Sequence, residues 1–300
     1  HSFPTRRSSD LVLFEQVTIV GVGLLGGSLG LALKQLGLAN KVIGVGRSRT
    51  NLELAVKVEA IDAFVGDANE VVGQSDLVVL ATPVDTYLDH AKRWGECLRP
   101  QTIVSDVGSV KGPLVLEMES QLPPEVCFVG AHPIAGKEKS GVAHADAKLF
   151  HGARCIVTPT PRTRSEALKK VWALWEAVGS IVISMDPHDH DWVLGAVSHF
   201  PHVAAFSLMQ TLRSLQDNGK TPSLDLLSFS GGGLRDTTRI AASSPEMWRD
   251  ICLSNRDNLL LMIDQYLVHL QEFQKILQEN DGMKLQQILE ESKRLRERLP

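Results

Sequence analysis

The four cysteines, Cys97, Cys127, Cys155 and Cys252, are widely spaced, and no CxxC pair occurs. That spacing argues against a zinc site or a disulfide framework and suits the reducing cytosol. Positive charge is in short supply: 31 Lys and Arg stand against 35 Asp and Glu, for a net charge of -4. Such a balance offers no general attraction to nucleic acid or to anionic membranes, so an anionic ligand needs a local cluster of cations. No uninterrupted apolar run reaches the roughly 18 residues that span a bilayer. The opening HSFPTRRSSD lacks the apolar stretch of a secretory signal, and residues 1–14 read as a leader with no part in the chemistry. Internal repeats and low-complexity tracts are lacking too. Helical patterning runs on to the end of the sequence, and no appended regulatory domain is expected.

What is present is the composition of a globular protein, 43% hydrophobic and 22% charged, in 300 residues that suit two domains better than one. Between 15 and 185, short β-branched runs alternate with helical stretches. Strands are expected at 17–20, 41–46, 76–81, 102–106, 127–130, 154–158 and 180–185, and helices at 26–36 and 165–178. The alternation predicts an α/β fold with a doubly wound parallel sheet covered on both faces. After Met185-Asp186-Pro187 the strand signals vanish. Helices are expected at 188–215, 253–277 and 283–299, which makes 186–300 an all-α second domain with Gly231-Gly232-Gly233 as a loop. The helix at 253–277 carries Leu259, Leu260, Met262, Ile263, Leu267 and Leu270 on more than one side. A small helical domain cannot bury all of that surface by itself, which predicts a homodimer through this half.

Gly21-Val22-Gly23-Leu24-Leu25-Gly26 follows a strand and opens a helix. In this setting the first glycine permits the tight turn, the second admits a pyrophosphate to the backbone, and the third allows close helix–strand packing. The helix N-terminus then presents free N–H groups and a positive dipole end to the phosphates. Leu24, Leu25 and the Thr82-Pro83 that closes strand 76–81 complete the expected cofactor contacts. An NAD enzyme usually carries an acid about 20 residues past the last glycine; here the stretch reads Gly44-Val45-Gly46-Arg47-Ser48-Arg49, with no carboxylate. Arg47, Ser48 and Arg49 suit a 2′-phosphate, so NADP is favoured over NAD.

Three further segments combine polar side chains with strand ends or loops. They are Ser105-Asp106-Val107-Gly108-Ser109-Val110-Lys111, Gly130-Ala131-His132-Pro133-Ile134-Ala135-Gly136-Lys137-Glu138, and the pair Ser198-His199-Phe200-Pro201-His202 and Arg235-Asp236-Thr237-Thr238-Arg239-Ile240. Ligands of doubly wound sheets collect beyond the carboxyl ends of the strands, where Ser109 and His132 are expected. With Met247-Trp248-Arg249-Asp250 following in order, the chain resembles the prephenate/arogenate dehydrogenase family from residue 17 to 295. The resemblance implies a Rossmann domain followed by a helical domain that forms most of a homodimer interface. It also implies an activity of tyrosine biosynthesis: hydride leaves C4 of a hydroxycyclohexadienyl ring, CO₂ leaves C1, and the ring becomes aromatic.

That chemistry needs an acceptor for the C4 hydroxyl proton, and a neutral imidazole suits it. His132 matches the family's catalytic histidine, and Ser109 its serine, which can hold the same hydroxyl. Prephenate carries two carboxylates. Arg239 matches the family's substrate arginine, a fork that grips a carboxylate bidentately. Arg235 is a second candidate, and His202 a substrate contact. Glu138 and Asp236 read either as orienters of these groups or as solvated charges. Trp248 either lines the pocket or belongs to a core, and His199 either packs or functions. His188 and His190 read as a solvated helix start after Pro187, and no metal site is expected. Rival readings are a β-hydroxyacid dehydrogenase or imine reductase, and a catalytically silent NADP-sensing scaffold. The choice between prephenate and arogenate stays open at this level.

Overall fold

The computed structural model describes residues 12–137, 139–218 and 223–299. The strands are β1 (Phe14–Val20), β2 (Ala39–Val45), β3 (Ala63–Val65), β4 (Leu77–Leu80), β5 (Ile103–Asp106), β6 (Cys127–Pro133), β7 (Arg154–Thr158) and β8 (Ile181–Ser184). They form one eight-stranded sheet in the order β3-β2-β1-β4-β5-β6-β7-β8. The first helices are α1 (Leu24–Gln35), α2 (Arg49–Lys57), α3 (Tyr87–Trp94), α4 (Gly112–Gln121) and α5 (Ser165–Ala177). Because side chains alternate across a strand, β4 divides its residues between two cores. Leu77 and Val79 pack with Ile19, Leu29 and Trp175, while Val78 and Leu80 pack with Tyr87, Trp94 and Met118. Burial of such a large apolar side chain contributes about 1.5–3 kcal/mol, so strands buried on both faces hold the sheet.

Within the sheet, three sequence expectations are corrected. Phe14 is 2% exposed and begins β1, so residue 14 belongs to the sheet and not to a leader. The polar Glu15 and Gln16 masked this strand; their amides are held by the Asp76 carboxylate at 2.6 and 3.0 Å. β6 extends to Pro133, which puts His132 inside the strand, opposite Ile156 of β7, rather than beyond its end. Finally, the sheet is not parallel throughout: β6 and β7 run antiparallel, whereas the other neighbours are parallel. A parallel return needs a crossover, usually a helix, and between β6 and β7 the described chain holds only a 3₁₀ turn, Val142–His144.

The remaining helices are α6 (Pro187–Leu194), α7 (Phe200–Asn218), α8 (Gly232–Thr238), α9 (Pro245–Ser254), α10 (Arg256–Glu279) and α11 (Gly282–Arg296), with a π-helical turn Gly195–His199 between α6 and α7. Two compact units result. One holds the chain through Leu194 together with Ala242–Asn255; the other holds Gly195–Ala241 and the chain from Arg256 onward. α6 belongs to the sheet unit because Asp191 caps α4, accepting from the Lys111 and Gly112 amides at 2.7 Å each. Gly232 and Gly233 lie inside α8 rather than in a loop. By length and composition Pro187–Asn218 is apolar enough to cross a membrane. Its first turns carry the buried His190 and Asp191 and pack on α4.

Candidate active site

The glycine turn is fixed by packing. Gly21 has φ +98°, and a Cβ there would sit 2.6 Å from the Ala81 carbonyl carbon; one on Gly26 would sit 2.2 Å from the Gly21 oxygen. At Gly23, the N-cap of α1, a Cβ would meet nothing within 4 Å. No side chain caps α1 and no acid stands in its first turn. An open space in front of uncapped, dipole-aligned amides fits a dinucleotide pyrophosphate. Asn51 Nδ2 donates to the Val22 carbonyl at 2.7 Å, tying the start of α2 to this turn. Ser48 caps α2 through the Asn51 amide, Arg49 pairs with Glu53 at 2.8 Å, and Arg47 is exposed.

The parallel register aligns Val20, Leu80 and Asp106 across β1, β4 and β5. Gly21, Thr82 and the loop carrying Ser109 therefore share one edge, with Thr82 Oγ1 2.8 Å from Thr86 Oγ1 and Pro83 exposed. The DxGSxK loop is braced from within. Lys111 Nζ donates to Asp106 Oδ2 and to the Gly108 carbonyl, each at 2.7 Å, and to the Val110 carbonyl at 3.2 Å. Both side chains are fully buried. Asp106 also accepts from Gly108 N at 2.8 Å and from Ala131 N at 3.0 Å, which locks the half-buried Ser109 and the strand of His132 into one frame.

His132 is 8% exposed, and its Nδ1 lies 2.8 Å from Nε2 of His190. His190 is 0% exposed, so it is no solvated helix start; its Nδ1 lies 2.7 Å from Asp191 Oδ1. Burial holds the His190 pKa below its ordinary value against the raising effect of Asp191. These partners fix the tautomers. The Asp191 carboxylate only accepts, so His190 Nδ1 carries the proton and the neutral ring's Nε2 accepts. His132 Nδ1 is therefore the donor, which leaves the lone pair of a neutral His132 on Nε2. Sequence reasoning missed His190 and Asp191. The signal was their spacing to Leu194, which puts all three on the buried side of α6.

In the helical unit, Pro201 lacks the N–H that an α-helix needs, and the π turn absorbs the defect. His199 is buried there. His202 Nδ1 donates to the Ser198 carbonyl at 2.9 Å. The His202 pKa is lowered first by burial and also by the nearby charge of Arg239. Arg239 ends α8 and begins a 3₁₀ turn, with Arg235 and Asp236 exposed on α8. Trp248 lies in α9 of the sheet unit at 5% exposure, in the core setting. Glu138 lies outside the described residues.

The family model "Prephenate dehydrogenase, nucleotide-binding domain" matches residues 29–184, and "Prephenate dehydrogenase, dimerization domain" matches 186–291. The chain is 33% identical to the prephenate dehydrogenase of Bacillus subtilis over 95% of its length and 76% of that protein's. With the cyclohexadienyl dehydrogenase of Zymomonas mobilis it shares 31% identity over 95% of this chain and 96% of the other. Prephenate dehydrogenase from A. aeolicus, solved with hydroxyphenyl propionate and NAD+, superposes with a TM-score of 0.87 at 39% identity, covering 94% of this chain and 97% of that one. The chain belongs to the prephenate dehydrogenase family and is an NAD(P)-dependent oxidoreductase.

Proposed function

We propose that this protein oxidatively decarboxylates prephenate in tyrosine biosynthesis, with arogenate as the alternative substrate, which differs only in its side chain. The observation that carries the reading is the buried Asp191–His190–His132 chain at 2.7 and 2.8 Å. With Nδ1 engaged by His190, His132 Nε2 takes the C4 hydroxyl proton. Ser109 hydrogen-bonds the same hydroxyl and holds it in line. A nicotinamide bound there would supply the acceptor for the C4 hydride. The chain's own groups need do little for the loss of CO₂, because aromatisation drives it and only interactions stronger in the transition state accelerate a step. Arg239 grips a substrate carboxylate, with His202 beside it and Arg235, Asp236 and Trp248 as further contacts or orienters; Glu138 belongs to the same set.

The glycine turn with Leu24 and Leu25, together with Thr82-Pro83, holds the dinucleotide. Arg47 and Ser48 suit the 2′-phosphate of NADP, which we take as the preferred cofactor. The exposed Leu260, Leu261, Leu267, Val268 and Leu270 of α10 support a homodimer through the helical unit. Four unpaired thiols suit the cytoplasm. Steady-state rates with prephenate and arogenate, each with NADP and NAD, test the proposal. Turnover is expected with at least one of the two substrates and faster with NADP; no turnover with either overturns it.

A further inference from the structure

Three hydrogen bonds converge on the Asp191 carboxylate. Oδ1 accepts from the Lys111 amide and from His190 Nδ1, and Oδ2 accepts from the Gly112 amide, each at 2.7 Å. The two amides open α4, whose own residues supply no side-chain cap and no acid in the first turn. Asp191, 2% exposed, is therefore the anion that meets the positive end of this helix and also the acceptor that orients the His190 ring. Its main chain is anchored as well: the buried Asn255 donates from Nδ2 to the Asp191 carbonyl at 2.7 Å. Gly112 is what leaves room for the carboxylate. Its φ lies outside the left-handed region, so the backbone does not call for glycine, and glycine is a poor helix former. Space does call for it: a Cβ there would sit 2.7 Å from Asp191 Oδ2 and 3.4 Å from Asp191 Cγ.

We propose that Gly112 is a positioning residue for the proton-accepting site: its missing side chain admits the Asp191 carboxylate to the start of α4, and that seat orients His190 and, through it, His132. The inference rests on the reading of His132 as the base. Lys111 links both ends of the arrangement. Its amide seats Asp191, and its Nζ pairs with Asp106, which holds the Ala131 amide next to His132. The main chain and the imidazole of the base are thus both tied to Lys111-Gly112, at the end of the loop that carries Ser109. A methyl group at 112 leaves the Asp106 side of this frame intact and disturbs the Asp191 side. With the carboxylate pushed off the amides, His190 loses the acceptor of its Nδ1 proton, and its Nε2 no longer has a fixed place opposite His132 Nδ1.

The test compares wild type with Gly112→Ala and with Met118→Ala, which empties a buried position of the same helix in the core of Tyr87 and Trp94. Steady-state rates with the preferred substrate and cofactor give kcat and KM. Proton NMR reads the far-downfield line of an imidazole N–H bonded to a buried carboxylate, assigned to His190 by its loss in His190→Gln. Gly112→Ala should lower kcat by about tenfold or more, the scale for losing a group that orients a functional histidine. KM should stay nearly unchanged, and the line should vanish. Met118→Ala should lower Tm but keep the line and a kcat within about threefold of wild type. A Gly112→Ala enzyme with the line intact, or with kcat within about threefold of wild type, overturns the inference; so does an equal fall of kcat in Met118→Ala. Full turnover in His132→Asn overturns instead the reading of His132 as the base, and loss of the line in Gly112→Ala would still show where Asp191 is seated. Asp191→Glu, which shifts the same carboxylate from the α6 side, repeats both measurements if the Gly112 variant does not fold, with the same fall expected and an unchanged enzyme overturning the inference.

Discussion

His132 and His190 meet ring nitrogen to ring nitrogen at 2.8 Å, with their planes inclined at 59°. The two residues come from β6 and α6, and Asp191 fixes the outer ring from behind while it caps α4. A base whose tautomer is set by a partner that itself has one orientation presents its lone pair without prior rearrangement, which favours proton transfer.

Replacing His132 with Asn should lower kcat by about 100-fold or more, the usual scale of general-base catalysis, and leave the substrate KM nearly unchanged. Such a split marks an interaction made in the transition state. Turnover reduced by less than tenfold would show that another group takes the proton.

In the proposed mechanism His190 positions His132. His190→Ala should lower kcat by about tenfold or more, by analogy with the loss on removing the group that hydrogen-bonds the far nitrogen of a functional histidine, while KM holds. His190→Gln, whose amide both accepts and donates, should recover part of the loss. Equal rates in the Ala and Gln variants would reduce His190 to a packing role.

Stability should depend on pH through the same residue. Burial depresses the folded-state pKa of His190, while the unfolded chain takes up its proton near pH 6.5. The unfolded state thus binds more protons below that pH. The contribution is fully present above about 6.5 and is lost as pH falls toward the folded pKa. Tm recorded from pH 8 to 5 should fall on the acid side, and His190→Gln should flatten that fall.

Lys111→Met leaves Asp106 buried without its cation. Breaking a buried pair by removing one partner costs about 3–5 kcal/mol, so urea unfolding should shift to a clearly lower midpoint. A midpoint equal to wild type would mean that the amides of Gly108 and Ala131 satisfy the carboxylate by themselves.

Arg239→Gln should raise the substrate KM by roughly 30-fold or more, on the scale of a desolvated charge pair. The change in kcat should be far smaller, with NADP affinity untouched. Loss of cofactor binding instead would move Arg239 out of the substrate site.

Much of this molecule was legible in its sequence. The runs at 76–81 and 102–106, the glycine turn and the shift to helices after Pro187 are properties of short windows: hydrophobic period, a backbone angle only glycine tolerates, a proline without its N–H. The segments holding Ser109, His132, His202 and Arg239 stood out for the same reason. Tertiary structure alone decided three things. His190 reaches His132 across 58 residues, and Asp191 reaches Lys111 across 80; a local window sees only HDHD after a proline, the pattern of a wet helix start. The direction of β7 depends on how the chain returns from β6, which no strand propensity records. The ionic pairing of Asp106 with Lys111 appears as a lone motif in sequence, and only its complete burial shows that the motif is a brace for the serine between them. Local chemistry is written along the chain, but desolvation and partner choice exist only once distant segments have closed around them.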